Sequence, residues 1–197
     1  MKDIKDKMIR SAIISVFVLV MVIIALFYYR SKDPMKVDTE NKKLIEITIP
    51  EIEAVDYIDN SYDKVRVFMK FGSGSKGLEL LERRTVDKKT GEKAEDVGKK
   101  PSENSIRLFE FTLTSLDSVK TVADSATNLE QYGFDEPICE IIMTLKNGDK
   151  KGLKVGKRLL TTTNAYYLKL DDDEKIYVLS QWDLNNFLMT DNNIINM

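Results

Sequence analysis

An uncharged stretch near the N-terminus constrains this chain most. It runs from Ser11 to Tyr29, nineteen residues between Arg10 and Arg30 without an acidic or basic side chain. A helix of that length is about 28 Å long, close to the ~30 Å hydrocarbon core of a bilayer, and it exceeds the length typical of a buried core helix. Its last residues, Phe27-Tyr28-Tyr29, form an aromatic cluster typical of a membrane interface. The stretch therefore predicts a transmembrane helix.

A cleaved signal peptide is the main alternative interpretation of this N-terminus, because the residues before the stretch are basic. The apolar run is longer than the usual signal-peptide core, and it ends in Phe-Tyr-Tyr-Arg where a cleavage site needs small residues. No cysteine directly follows the stretch, which excludes a lipoprotein anchor. We therefore expect an uncleaved signal anchor.

The flanking charges barely decide the orientation of this helix. Four basic residues precede it and five follow it closely (Lys2, Lys5, Lys7 and Arg10; Arg30, Lys32, Lys36, Lys42 and Lys43). Long segments translocate largely regardless of charge, so the short flank is expected on the inside. We predict a cytoplasmic tail at residues 1–10, a transmembrane helix at 11–29, a polar juxtamembrane linker at 30–43 and an extracytoplasmic domain at 44–197. The predicted location is the cell membrane, with a single crossing and the bulk of the chain outside the cytoplasm.

The composition removes most common catalytic machinery. The chain has no histidine and one cysteine, Cys139, which excludes histidine acid–base catalysis, Cys/His zinc sites, a Cys-His nucleophile pair and an internal disulfide. The 30 Lys and Arg residues balance 32 Asp and Glu residues, so a nucleic-acid partner is not expected. We predict no catalytic residue, no metal site and no cofactor.

The segment after residue 43 alternates apolar and polar residues with the period of two that is typical of half-buried strands. The clearest examples are Ile45 to Ile49 and Val65 to Phe71; Ile52 to Ile58 is β-rich but alternates poorly, and Leu78 to Arg84 is a further candidate. Glycines in the sequence FGSGSKG would form the turn before that last strand. The predicted fold is therefore α+β, an antiparallel-sheet-rich domain with a few short helices behind the N-terminal helix.

Two middle segments leave alternatives open. Residues 83–100 carry seven Lys or Arg and four Asp or Glu residues, typical of a solvated loop or a hairpin tip, with a docking site for acidic polymers or lipid headgroups as the alternative. The segment from Glu103 to Ser115 fits a helix capped by Ser102, with Ile106, Phe109, Leu113 and Leu116 on one stripe. Its FEFTLT sequence also alternates like a strand.

The C-terminal third predicts two hairpins. The inward residues of both strands must lie on the same face of the sheet, which favours a three-residue loop, Lys146 to Gly148, over a two-residue loop. This loop pairs Ile141 with Leu153 and turns Cys139 inward. In the second hairpin we expect Leu168 and Leu170 opposite Val178 and Ile176, around an acidic run, Asp171 to Glu174, that lacks the ligand spacing of an EF-hand. The predicted core is Ile141, Met143, Leu145, Leu153, Val155, Leu168 and Val178.

Short helical segments border these hairpins. The sequence NLEQY predicts a brief helix that Asn128 caps and Gly133 ends, followed by a turn at Pro137. Ser180 begins a second short helix whose apolar face would consist of Trp182, Leu184, Phe187 and Leu188.

The order NLEQYGFDEP, a strand ending in Asn-Gly-Asp, LKVGKR, AYYLKL and KIYVLSQWDLNNFL resembles the bacterial family called domain of unknown function 4340. The similarity runs from Asn104 to Leu188 and more loosely back to Ile52. Its strongest elements are Leu129, Tyr132-Gly133-Phe134, Pro137, Gly148, Gly156 and Tyr167, with Phe134 where the family has Leu. The resemblance implies an extracytoplasmic α+β domain behind a membrane helix, in some members associated with gliding-motility-type ABC transport systems. It also favours the helix at Glu103 to Ser115 and a strand at Ser118 to Ala123, and it implies no catalytic residue.

Three classes of function remain. The first is an interaction module, or an auxiliary component of a membrane or transport complex, that contacts another membrane or envelope protein through a sheet edge or an aromatic surface. The candidate residues of that surface are Tyr166, Tyr167, Tyr177 and Trp182. The alternative is a ligand-binding or sensory domain that signals through a partner and needs a pocket. An enzyme is disfavoured, because only carboxylates on predicted turns could supply acid–base groups.

Overall fold

The computed structural model describes residues 19–22, 43–116, 121–123, 128–159 and 164–189. The chain divides into two compact units, Met1–Lys36 and Val37–Met197. In the first unit only Leu19 to Val22 are described, and they are helical and exposed. Within the described residues no helix is long and apolar enough to cross a membrane. The rest of the predicted span, and all of the 30–43 linker except Lys43, lies outside those residues, so both stay predictions.

In the second unit the described residues form one antiparallel sheet and two helices. The sheet order is β3-β2-β1-β5-β6-β7-β8-β4, which places β3 and β4 at the edges. The strands are β1 (Ile52–Asp59), β2 (Val65–Gly74), β3 (Gly77–Asp87), β4 (Thr121–Ala123), β5 (Cys139–Leu145), β6 (Lys150–Arg158), β7 (Ala165–Leu170) and β8 (Ile176–Ser180). The helices are α1 (Glu103–Thr114) and α2 (Gln181–Phe187), with 3-10 turns at Ile49–Glu51 and Glu130–Tyr132. The predicted sheet-rich α+β class is confirmed for this unit.

Phe109 of α1 organises the core beneath the sheet. Its ring lies 5.9 Å from that of Tyr57, 5.7 Å from Phe71 and 6.1 Å from Phe187, so it contacts β1, β2 and α2 together. The amide of Asn186 donates a hydrogen bond to the buried hydroxyl of Thr112 at 2.9 Å, joining the two helices. We call the sheet face that packs against both helices the inner face.

The structure settles the ambiguity of the segment after Pro101 in favour of a helix. Ser102 caps α1 by accepting a hydrogen bond from the backbone N–H of Ser105 at 3.1 Å. Phe109 and Leu113 are fully buried on the stripe predicted from the sequence. The buried stripe prevails over the alternating pattern because it matches the inner face along its length.

The β5–β6 hairpin has the register that the three-residue loop predicts. Cys139 pairs with Val155 and Ile141 with Leu153, while Gly148 adopts a left-handed φ of 89° in the loop. Of the predicted core, Ile141, Met143, Leu145, Leu153, Val155 and Leu168 are buried. Cys139 faces inward, and burial raises the pKa of its thiol well above the ordinary value.

The predicted register of the β7–β8 hairpin is wrong by one residue. Leu168 pairs with Tyr177, and Val178 pairs with Tyr167 on the opposite face. A one-residue shift exchanges the two faces of a strand, so Tyr177 replaces Val178 in the core and Val178 is half-buried.

Two other expectations are corrected. Ile45 and Ile47 are buried but belong to no strand. Beside them, the N–H of Leu44 donates to the carbonyl of Leu116, just after the end of α1, at 2.9 Å. Trp182 is 48% exposed and does not share the buried face of α2 with Leu184 and Phe187. The poor alternation of β1 has a simple cause, a register shift between Ile52 and Ala54.

The other, outer face of the sheet carries a second apolar cluster at its β4 end. Val122, Phe134 and Ile176 form its buried part, with Tyr132 and Tyr167 packed against them. The turn that supplies Phe134 ends as predicted: Gly133 has φ 77°, and the N–H of Phe134 donates to the carbonyl of Leu129 at 3.2 Å. This turn lies against Gly156 of β6, where a Cβ atom would overlap the carbonyl oxygen of Tyr132 and the ring of Phe134.

We therefore expect Gly156→Ala to lower the free energy of unfolding by about 1–3 kcal/mol, because the backbone at Tyr132 must move to admit a methyl group. The matched control in the same strand is Gly152→Ala, whose Cβ would meet only the end of the exposed Asp171 side chain. That control should change stability by less than about 0.5 kcal/mol in urea titrations. Equal losses in the two variants would contradict the packing argument.

Candidate functional site

The structure distributes the four predicted partner residues over both faces of the sheet. The side chain of Tyr166 is half-buried on the inner face and donates to Gln181 Oε1 at 2.9 Å. Tyr167 lies on the outer face, with its ring 5.0 Å from that of Tyr132. Tyr177 is buried on the inner face and donates to the carboxylate of Asp173. Only Trp182 is largely exposed, so the four residues do not form one surface.

The two charged segments have local structural contacts. Asp173 accepts from the N–H of Lys175 at 2.9 Å, and its carbonyl accepts from the ammonium group of Lys169 at 2.7 Å. The acidic run is thus the turn of the β7–β8 hairpin. In the charged segment 83–100, the first five residues continue β3, and a bridge between Val86 and Lys93 folds the remainder back along that strand. This segment is the predicted hairpin tip.

Buried polar groups line a different place, a cleft of about 240 Å³. The cleft is bordered by the end of β1, by β3, by the 88–101 loop and by the end of α2. We call it the Asp59 cleft. Its lining combines polar groups with an apolar floor: Asp59, Tyr62, Val67, Met69, Arg83, Gly98, Lys99, Pro101, Leu188 and Met189. Two other surface depressions of the described residues, one near Ile106 and one near Pro50, contain no buried carboxylate.

Asp59 is the unusual residue of this cleft. It occupies the last inward position of β1, in phase with Val55 and Tyr57, and it is only 4% exposed. One carboxylate oxygen accepts the backbone N–H of Ser61 at 2.8 Å. Burial raises the pKa of the Asp59 carboxyl, and the hydrogen bonds from Ser61 and the positive charges of Lys88 and Arg83 only partly oppose this.

Arg83 forms the opposite wall and holds the loop in place. Its side chain is 6% exposed, and its guanidinium donates to the carboxylate of Asp96 and to the carbonyl of Val97. The hydroxyl of Thr85 donates to the same Asp96 carboxylate at 2.8 Å. The loop therefore depends on β3 for its position, and the charge of Arg83 is neutralised by Asp96.

Two buried donors at this end of the sheet have no acceptor among the described residues. They are the Nε–H of Arg83 and the hydroxyl of Tyr57. Burial raises the pKa of the Tyr57 hydroxyl, with smaller contributions from Cys139, Asp59 and Tyr62. A buried donor without a partner costs about 1–3 kcal/mol, so a group that accepts a hydrogen bond from Arg83 would be stabilised here.

The floor of the cleft contains an unusual backbone conformation. Met189 has φ 48°, the one non-glycine positive φ among the described residues, and its N–H donates to the carbonyl of Asn186 at 3.2 Å. Glycine usually ends a helix in this conformation. Here the methionine side chain is 6% exposed and fills the floor beside Leu188.

Sequence reasoning missed this site because its members come from five separated segments. One signal was nevertheless present: an acidic residue two positions after Tyr57 in a strand whose alternate residues are buried. A carboxylate at an inward position is rarely buried without a specific reason.

The family model described as "Domain of unknown function (DUF4340)" matches residues 110–197. This match covers less than half of the chain, and over those residues the resemblance expected from the sequence is confirmed. No curated protein and no solved structure shows significant similarity to the chain. The matched part includes the outer cluster and, from the floor of the Asp59 cleft, Leu188 and Met189; the other cleft residues precede it.

The raised pKa of Asp59 predicts a pH-dependent stability difference. A carboxyl group with a raised pKa in the folded state contributes stability below its unfolded-state pKa and loses it as the pH rises through the folded-state pKa. Asp59→Asn retains the oxygen that accepts from Ser61 but cannot ionise. The variant should therefore gain stability relative to the natural chain as the pH rises from 4 towards 8 in urea titrations.

The control for this prediction is Asp56→Asn, an exposed position on the same strand. Its stability difference from the natural chain should not show that rise. If the Asp59→Asn difference were independent of pH, the assignment of a desolvated carboxylate would be wrong.

Proposed function

We propose that this chain is a non-catalytic interaction domain that is anchored in the cell membrane by residues 11–29 and contacts another membrane or envelope protein through the Asp59 cleft. In this proposal the domain lies outside the cytoplasm and acts as an auxiliary component of a membrane or transport complex. The observation that carries the proposal is the cleft itself, where Asp59 and Arg83 are buried beside an apolar floor.

The size of the cleft favours a protein partner over the sensory alternative. Sites for small molecules usually have volumes of about 300–1,000 Å³, and the Asp59 cleft has about 240 Å³. That space suits one anchoring residue of a partner. Restriction of both proteins to one membrane would raise their effective concentration, so a small contact would suffice.

The β3 edge of the sheet is poorly suited to pairing with a partner strand, which also favours contact through the cleft. On β3 the carboxylate of Glu110 accepts the N–H of Leu78, and the N–H of Ala94 donates to the carbonyl of Thr85 at 3.0 Å. A register shift opposite Lys70 and Phe71 interrupts the strand between those points. Blocked and bulged edges are poor templates for an added strand.

Anchoring predicts that the full chain stays in the membrane pellet after alkaline carbonate washing, because about nineteen apolar residues suffice to span a bilayer. The same chain with Val18 and Ile23 replaced by Asp should shift to the supernatant. Recovery of the unaltered chain in the supernatant would contradict the anchor.

Contact through the cleft predicts site-specific crosslinking in the membranes of the native cell. A photoreactive amino acid in place of Lys99, at the rim of the cleft, should give one discrete adduct with another membrane or envelope protein, and Tyr62→Phe in the same chain should reduce it. The same amino acid in place of the exposed Lys150 serves as the matched control and should give no such adduct.

A third position separates the cleft from the aromatic surface predicted from the sequence. An adduct from Trp182 without one from Lys99 would place the contact on the exposed side of α2 and overturn the cleft proposal. Absence of adducts at both positions would overturn the protein-interaction proposal.

A further inference from the structure

We infer that the Asp59 cleft recognises an uncharged amide group of the partner chain, whose carbonyl accepts from Arg83 Nε–H and the Tyr62 hydroxyl and whose N–H donates to the Asp59 carboxylate. This inference rests on the proposed function and adds the chemistry of the group that is bound. The amide comes either from an Asn or Gln side chain or from a backbone peptide group.

The first argument is the balance of donors and acceptors in the cleft. Arg83 supplies a buried N–H without an acceptor among the described residues, and Tyr62 supplies a half-buried hydroxyl. Asp59 supplies a buried carboxylate, one oxygen of which accepts the backbone N–H of Ser61. Amide groups carry a carbonyl acceptor and an N–H donor side by side, which satisfies both walls at once.

The second argument is charge. An acidic group would meet the Asp59 carboxylate in a desolvated site, and like charges there are costly. A basic group carries only donors, so it would leave the buried Nε–H of Arg83 without an acceptor. The amide is neutral and avoids both costs.

The third argument is space. The volume of about 240 Å³ is below the range of about 300–1,000 Å³ that is usual for small-molecule sites, so it suits a single residue. The floor of Val67, Met69, Leu188 and Met189 would cover the aliphatic part of one residue while its amide reached the polar wall. A longer ligand would extend beyond the cleft along the 98–101 segment.

The test uses the full chain in detergent, labelled at the methionine methyl groups, and capped tripeptides as probes. Met69 and Met189 line the cleft, while Met143 lies in the core and serves as the internal control. The probes are acetyl-Ala-X-Ala-amides in which X is Gln, Ala, Glu or Lys. We expect the Gln peptide to shift the Met69 and Met189 signals saturably and the Met143 signal not at all, with the Glu and Lys peptides binding at least tenfold more weakly.

Two variants make the test specific. Tyr62→Phe should weaken the Gln peptide about fivefold, the equivalent of one hydrogen bond of ~1 kcal/mol. Asp59→Asn places an N–H where the second carboxylate oxygen was, so the Gln peptide should lose about tenfold in affinity while the Glu peptide gains. A purely structural role of Asp59 would not reverse the preference between two probes.

Each outcome separates the inference from the proposed function. Equal binding of the Ala and Gln peptides would identify the backbone as the source of the amide. Tighter binding of the Glu or Lys peptide to the natural chain, or no shift of Met69 and Met189 with any probe, would overturn the amide inference. If the Lys99 adduct persisted in that case, protein contact through the cleft would stand; if peptides bound without any adduct, the amide inference would stand and the protein-interaction function would fail.

Discussion

The packing of Phe109 against three other rings is the interaction on which the rest of the domain depends. It fixes α1 beneath β1 and β2 through Tyr57 and Phe71, and it receives Phe187 of α2. Because Asn186 also binds Thr112, α2 cannot slide along α1 without breaking a buried hydrogen bond. The end of α2 is thereby placed where Leu188 and Met189 form the floor of the Asp59 cleft. The site is thus assembled by an aromatic core that lies beside it.

The matched family segment and the polar wall of the cleft contribute different things to this assembly. Tyr132, Gly133, Phe134 and Gly156 fit closely on the outer face, where a single added methyl group would meet backbone. Their role is to attach a turn to the sheet. Asp59 and Arg83 precede the matched residues and sit at strand positions that packing alone would fill with apolar side chains. In the proposed contact, the polar groups come from the N-terminal strands and the loop after them, and the matched segment supplies the support.

Local pattern predicted the elements whose contacts are close in sequence. The β5–β6 register followed from the length of the loop. The Ser102 cap and the apolar stripe favoured α1, although the alternation of FEFTLT left a strand open. The same reasoning placed Val178 wrongly. The acidic turn between β7 and β8 contains no glycine that would fix its conformation, so it is compatible with more than one strand register. Burial of Ile45 and Ile47 without a strand shows that alternation reports one-sided burial rather than strand pairing. The cleft depends on contacts between distant segments, which no local period encodes.

A single irregularity in β3 explains how Arg83 comes to lie in the cleft. Leu78 and Leu80 pack inward at the start of the strand, and strict alternation would turn Glu82 and Arg84 inward after them. The register shift near Leu81 changes the parity, so Arg83 pairs with Met69 and Thr85 with Val67, both inward residues, while Arg84 covers Phe68 on the outer face. One extra residue in a bulge exchanges the faces of everything beyond it. The same bulge interrupts the exposed edge of β3, so the feature that discourages an added strand is also the one that brings a guanidinium to Asp59.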